Sequence, residues 1–286
     1  MVTPFKADGS INFDVAIEVA EELVREGSDG LVIAGSTGEG ASLSAKEKLE
    51  LFACIAGAVE VPVLAGSTSS NTADSVELTS QVSTTGCSGV LVTTPAYVRP
   101  SQSGIAEHFA AIARSTDLPI MLYDIPVRTG RKIDADTTIA LVQRHENIVA
   151  MKDASGDFAS AAHYKAVLGD AIDLYSGDDA VVLPFMAIGA VGLVSVAAHW
   201  AAREFAALVS SVVAGDWDRA RAFNELLAPS YAFEGTNEYP NPMPSKAALR
   251  YLGFNVGQCR QPHSAGDAAL DAEAARVVAA LRASRG

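Results

Sequence analysis

The sequence predicts an α/β fold of the (β/α)8 barrel type with a helical appendage at its C-terminal end. Three observations carry that expectation. Short apolar, β-branched runs recur along the chain, their starts mostly lie about 20 to 30 residues apart, and stretches with helical periodicity such as SAKEKLELFACIAGAV fill the intervals. The runs are GLVIAG from Gly30, VPVLAG from Val61, GVLVTTP from Gly89, LPIMLYDIP from Leu118, NIVAMKD from Asn147, IDLYSGDD from Ile172 and GLVSVAA from Gly192. Each reads as a buried strand of a parallel sheet.

Eight units close a barrel and seven are visible, so the missing strand is expected first. Met1, Val2 and Thr3 look like the tail of a truncated first strand. After the last run come helix-like stretches at 199–214, 216–228, 244–252 and 268–284, more than one barrel unit needs. The expected division is a barrel over residues 1–214 and a helical extension over 215–286. No Pro/Ser-rich linker interrupts the chain, so a second independent domain is not expected.

At 286 residues the chain lies within the range a barrel fills as one unit. A hydrophobic share of 49% against 19% charged residues supplies a core and argues against disorder. The formal charge of −13 opposes binding to nucleic acid or anionic lipid. Cys54, Cys87 and Cys259 are odd in number and lack CxxC spacing, so neither a disulfide framework nor a zinc cluster is indicated. The opening MVTPFKADGS has no basic, then apolar, leader pattern, and no later run matches a bilayer span. A cytoplasmic location is expected.

Active sites of such barrels sit at the C-terminal ends of the strands, which narrows the candidates. Lys152 follows the apolar run IVAM and is one of seven lysines, the others falling in loops or helix-like segments. A lysine held among apolar groups gives up its proton more readily and then offers a neutral amine able to attack a ketone. The alternative is a strand-end lysine paired with Asp153 or Asp178. GSTGEG, residues 35–40, follows a strand, and its amides with the Ser36 and Thr37 hydroxyls suit an anion such as a carboxylate. The same glycines also read as a plain turn before a helix capped by Ser44. YDIPVRTG puts Tyr123 at a strand end and Arg128 after a proline turn, where its planar fork suits a carboxylate. A core tyrosine plus a surface arginine is the other reading, and the same applies to Tyr97 in TPAYVRPSQ.

Taken together, TPF, GSTGE, TPAYVRPSQSG, YDIPVRTG, VAMKDASGD, YSGDD and GLVSV occur in an order and spacing that resemble the dihydrodipicolinate synthase and N-acetylneuraminate lyase superfamily, nearly end to end. RPSQ and RTG look like the dihydrodipicolinate synthase branch. The resemblance implies class I aldol chemistry, in which pyruvate condenses with L-aspartate 4-semialdehyde on the way to diaminopimelate and lysine. It implies Lys152 as the Schiff-base lysine, Tyr123 as proton donor and acceptor, and Ser36 and Tyr97 as a hydroxyl relay, with Tyr97 reaching across a subunit interface. Thr37 is expected on the pyruvate carboxylate, Val194 on pyruvate through its backbone, and Arg128 on the carboxylate of the second substrate. The iminium is itself the electron sink, so no metal or organic cofactor is expected. A homotetramer built from tight dimers is implied as well.

Ser36 stands where the synthases usually carry threonine, so GSTGE alone does not separate synthase from lyase. Ala96, Lys48 and Ser75 stand near positions where lysine-inhibited members carry tyrosine, histidine and glutamate, and insensitivity to lysine is expected. The rivals are another pyruvate aldolase acting on sialic or 2-keto-3-deoxy sugar acids, a metal-dependent barrel hydrolase, and a non-catalytic binding protein. Arg128 disfavours the first, because its second substrates are neutral. The unclustered His108, His145, His163, His199 and His263 disfavour the second, and the retention of Lys152, Tyr123, Tyr97 and Arg128 the third. Asn241, Pro242 and Pro244 read only as turn residues.

Overall fold

A computed structural model of the chain describes residues 1–285. In chain order it forms α1 (Phe13–Arg25), β1 (Leu31–Ile33), α2 (Ala45–Ala56), β2 (Val63–Gly66), α3 (Thr72–Val82), β3 (Gly89–Thr93), α4 (Gln102–Ala113) and β4 (Ile120–Asp124). There follow α5 (Pro126–Thr129), α6 (Ala135–Arg144), β5 (Ile148–Asp153), α7 (Phe158–Leu168), β6 (Asp173–Ser176), α8 (Val182–Ala187) and β7 (Gly192–Leu193). Four helices close the sequence: α9 (Ala198–Val213), α10 (Trp217–Phe233), α11 (Met243–Tyr251) and α12 (Ala268–Ala283). Every apolar run singled out in the sequence contains one strand, and the parallel sheet takes the strands in chain order. The chain divides into two compact units, Leu64–Ser195 and Met1–Val63 with the residues from Val196 onward.

In the unit from Leu64 to Ser195, each strand pairs in parallel with the next. The strands are buried because helices cover them: Ile105, Phe109 and Ile112 of α4 and Phe185 of α8 are almost completely shielded, as are Val90, Val92, Leu122 and Leu174. Each such side chain contributes on the order of 1.5–3 kcal/mol by leaving water. The ladder between β4 and β5 has one irregularity. Ile120 pairs with Ile148 but Met121 pairs with Ala150, so Val149 is an extra residue, bulged out and 38% exposed.

In the other unit, Met1 to Thr3 form no regular strand. They lie against its remaining elements: the Met1 ammonium donates to Val32 O at 2.6 Å, the Val2 amide donates to His199 Nε2 at 2.9 Å, and the Thr3 hydroxyl donates to Gly38 O at 2.6 Å. His199 must therefore be neutral with its proton on Nδ1, which donates to Val196 O at 2.7 Å. Burial, with the nearby N-terminal charge, holds its pKa at about 3. Ser44 caps α2 in a capping box with Glu47. The expected helix 216–228 is longer than expected, since α10 runs on through Pro229 to Phe233. The extra turn is held by burial: the Trp200 indole N–H donates to Ser230 Oγ at 3.0 Å, and its ring meets Phe233 edge-on at 5.4 Å. Tertiary packing outweighs the hydrogen bond that proline removes. Among the described residues no helix is long and apolar enough to cross a membrane.

Candidate active site

The ends of β4 and β5 bring Tyr123 and Lys152 side by side as register partners. Both are buried, at 4% and 8% exposure, and the Lys152 ammonium lies 4.2 Å from the centre of the Tyr123 ring. The two carboxylates considered as partners for Lys152 are engaged elsewhere. Asp153 accepts from the Ser155 amide and from the Tyr164 hydroxyl, each at 2.8 Å, and Asp178 caps the following turn through the Ala180 amide at 3.0 Å. The Thr93 hydroxyl donates to Tyr123 O at 2.9 Å, tying the ends of β3 and β4 together, and its amide donates to Thr68 Oγ1 just past β2 at 2.8 Å.

Arg128 sits five residues beyond Tyr123 on the short α5, exposed at the same strand end. Val194 follows β7, with its amide donating to Ser176 O at 2.8 Å, so its carbonyl carries the remaining backbone function. Tyr97 lies on the turn after β3 and is 94% exposed, next to the exposed Val98. Its φ of 74° is left-handed, as is that of Arg99 at 47°. The turn is held by Arg99, whose Nε donates to Gly130 O at 3.0 Å, and by Arg131, which donates to Arg99 O at 3.3 Å. A left-handed backbone here presents the Tyr97 phenol to solvent.

In the other unit, GSTGEG forms a tight double turn. Glu39 and Gly40 donate their amides to Ser36 O and Gly35 O at 3.1 and 3.0 Å. Among the described residues the amides of Ser36 and Thr37 donate to no protein acceptor. Gly40 is obligatory, because a Cβ there would lie 1.9 Å from Ala34 O. Two residues that sequence reasoning passed over complete this loop. Lys246 is fully buried and pairs with buried Glu39 at 2.6 Å, and the Asn241 amide nitrogen donates to the Thr37 hydroxyl oxygen at 2.9 Å. Nothing local to the lysine in SKAALR or the glutamate in GSTGEG marks the pair, which forms only through their long-range meeting.

Asp124, the last residue of β4, accepts from the Ile133 amide at 3.2 Å. Burial pushes its carboxyl to about 7; the Ile133 hydrogen bond opposes the shift and the neighbouring Asp153 adds to it. The folded pKa is raised, so between about 4 and 7 the folded state binds more protons than the unfolded chain and stability falls as pH rises. The full effect is at most about 4 kcal/mol. Asp124→Asn keeps the acceptor and loses the charge. In urea unfolding at pH 5 and pH 8, the variant should gain on the wild type as pH rises, and a constant difference would refute the assignment.

The sequence matches the Dihydrodipicolinate synthetase family over residues 1–281. The chain belongs to this family. It is 45% identical over 267 residues, 92% of this chain and 89% of the relative, to 4-hydroxy-tetrahydrodipicolinate synthase from Moorella thermoacetica. The crystal structure of dihydrodipicolinate synthase DapA-2 from Bacillus anthracis superposes with a TM-score of 0.93 at 37% identity, covering 98% of this chain and 95% of that one. The synthase of Cyanidioschyzon merolae with lysine bound superposes with a TM-score of 0.95 at 37% identity, covering 99% and 96%. Family membership gives the adjacent Lys152 and Tyr123 a chemical context that adjacency alone does not.

Proposed function

We propose that the chain is a class I aldolase that condenses pyruvate with L-aspartate 4-semialdehyde to give 4-hydroxy-tetrahydrodipicolinate. The observation that carries the reading is the buried Lys152 ammonium packed 4.2 Å from the Tyr123 ring at adjoining strand ends. The Lys152 amine attacks the pyruvate carbonyl carbon, a proton reaches the developing alkoxide, and loss of water gives the iminium. Removal of a methyl proton gives the enamine, whose carbon bonds to the aldehyde carbon while the aldehyde oxygen takes a proton; the amino group of the second substrate then attacks the restored iminium carbon and displaces the Lys152 amine, closing the ring and freeing the product. Tyr123 supplies and retrieves these protons, and the Ser36 and Tyr97 hydroxyls pass them on. Thr37 holds the pyruvate carboxylate, the Val194 carbonyl faces pyruvate, and Arg128 receives the second carboxylate as a bidentate pair. The iminium does the work of an electron sink, and no metal or organic cofactor enters these steps.

Residues 1–214 are assigned to a (β/α)8 barrel, and residues 215–286 to a helical extension. The exposed, strained Tyr97 suits a second subunit's site, and a homotetramer made of tight dimers in the cytoplasm is the assembly we assign. The test is a coupled assay with pyruvate, aspartate semialdehyde and dihydrodipicolinate reductase, following NADPH. Turnover supports the synthase. Its absence, with pyruvate still trapped on Lys152 by borohydride, assigns the chain to sugar-acid substrates. Lysine at millimolar concentration should leave the rate unchanged, since Ser75 is buried and spends its hydroxyl on Asn71 O at 2.8 Å within its own turn. Strong inhibition would refute that expectation.

A further inference from the structure

We infer that Asn241 is a positioning residue for the pyruvate carboxylate, acting by fixing which way the Thr37 hydroxyl points. The inference rests on the reading of Thr37 as a carboxylate donor. A hydroxyl carries one proton and two lone pairs, and its proton rotates to suit its neighbours. An N–H aimed at the oxygen occupies a lone pair and turns the proton away from that side. The Asn241 amide nitrogen does this at 2.9 Å. Thr37 is then left as a donor, the polarity a carboxylate requires. Next to it the amides of Ser36 and Thr37 donate to no protein acceptor among the described residues. One side-chain donor and two backbone donors thus share a short stretch of loop.

The placement of Asn241 is itself fixed from both sides. Five residues on, Lys246 pairs with Glu39 of the same GSTGEG loop at 2.6 Å and donates to Gln258 O at 2.9 Å. The Arg260 amide reaches the other Glu39 oxygen at 2.8 Å. Glu39 has a left-handed φ of 55°, a conformation unfavourable for glutamate that this pairing maintains. The segment 241–246 therefore meets the loop twice, once through a charge pair that sets its position and once through an amide that sets the direction of a hydroxyl.

The experiment uses the full-length protein. Asn241→Leu keeps the branching of the side chain and removes the donor. Asn241→Asp keeps the shape and reverses the polarity, inviting the Thr37 proton back toward position 241. The pyruvate concentration for half-maximal borohydride trapping on Lys152 should rise about tenfold in the leucine variant, a 1.4 kcal/mol effect, and further in the aspartate variant. The pyruvate KM should follow it while kcat changes less than about twofold. In a Thr37→Val background neither substitution should add more than about twofold, because the hydroxyl they act on is gone. A purely structural asparagine would instead lower the unfolding midpoint and reduce kcat, with the same penalty in both backgrounds, and that outcome overturns the inference. So does trapping within twofold of wild type in Asn241→Asp. If the wild type itself is not trapped on Lys152, the Schiff-base reading falls and the inference falls with it.

Discussion

Replacing Lys152 by alanine should lower kcat/KM by about four orders of magnitude or more, since the covalent intermediate has no other amine on which to form. Lys152→Arg should fail equally, although it keeps the charge beside Tyr123, because a guanidinium does not lose its proton in this range. The comparison separates nucleophile from counter-ion. A lysine that merely balanced charge would be replaced by arginine at a modest cost. The direct measurement is intact mass after pyruvate and borohydride, where the wild type gains a stable adduct and both variants gain none. Peptide mapping that places the adduct on another lysine would reject the assignment outright.

The second large effect concerns stability. Glu39 and Lys246 form an ion pair with both side chains about 1% exposed, and Lys246 also lies 4.3 Å from the Phe5 ring centre. Burial pulls the Lys246 ammonium below its usual value, while Glu39 opposes that shift. Cys259, half-buried nearby, has its thiol pushed up to about 12 by desolvation and stays protonated. Removing one partner strands the other charge without solvent. Lys246→Met is expected to cost about 3–5 kcal/mol in urea unfolding. Adding Glu39→Gln to Lys246→Met should recover most of that, because the stranded carboxylate disappears. A double variant no more stable than the single one would mean that the penalty comes from packing alone.

The strands were legible because each is an apolar run bounded by turn residues, and in a parallel sheet covered by helices that pattern needs no alternation. The helices of the C-terminal stretch were legible from periodicity, apart from the end of α10. There Trp200 and Phe233 hold the helix past Pro229. Lys152 stood out in the sequence because a cation after four apolar residues conflicts with its surroundings. Asn241 and Lys246 did not stand out, since nothing local distinguishes them. Their significance depends on partners more than 200 residues away in the chain, and periodicity carries no information at that range. The raised carboxyl of Asp124 was hidden for a similar reason, because burial at a strand end follows from packing.

The bulge at Val149 determines how far a sequence change upstream of Lys152 is felt. A strand has two phases, and a regular count of four from Ile148 would return Lys152 to the face Ile148 occupies. One looped-out residue changes the count, so the stretch from Ala150 to Asp153 takes its phase from β4 and not from what precedes it. The bulge acts as an expansion joint. Irregularities in the first half of the strand are absorbed where Val149 already meets solvent, and the amine keeps its station beside the phenol.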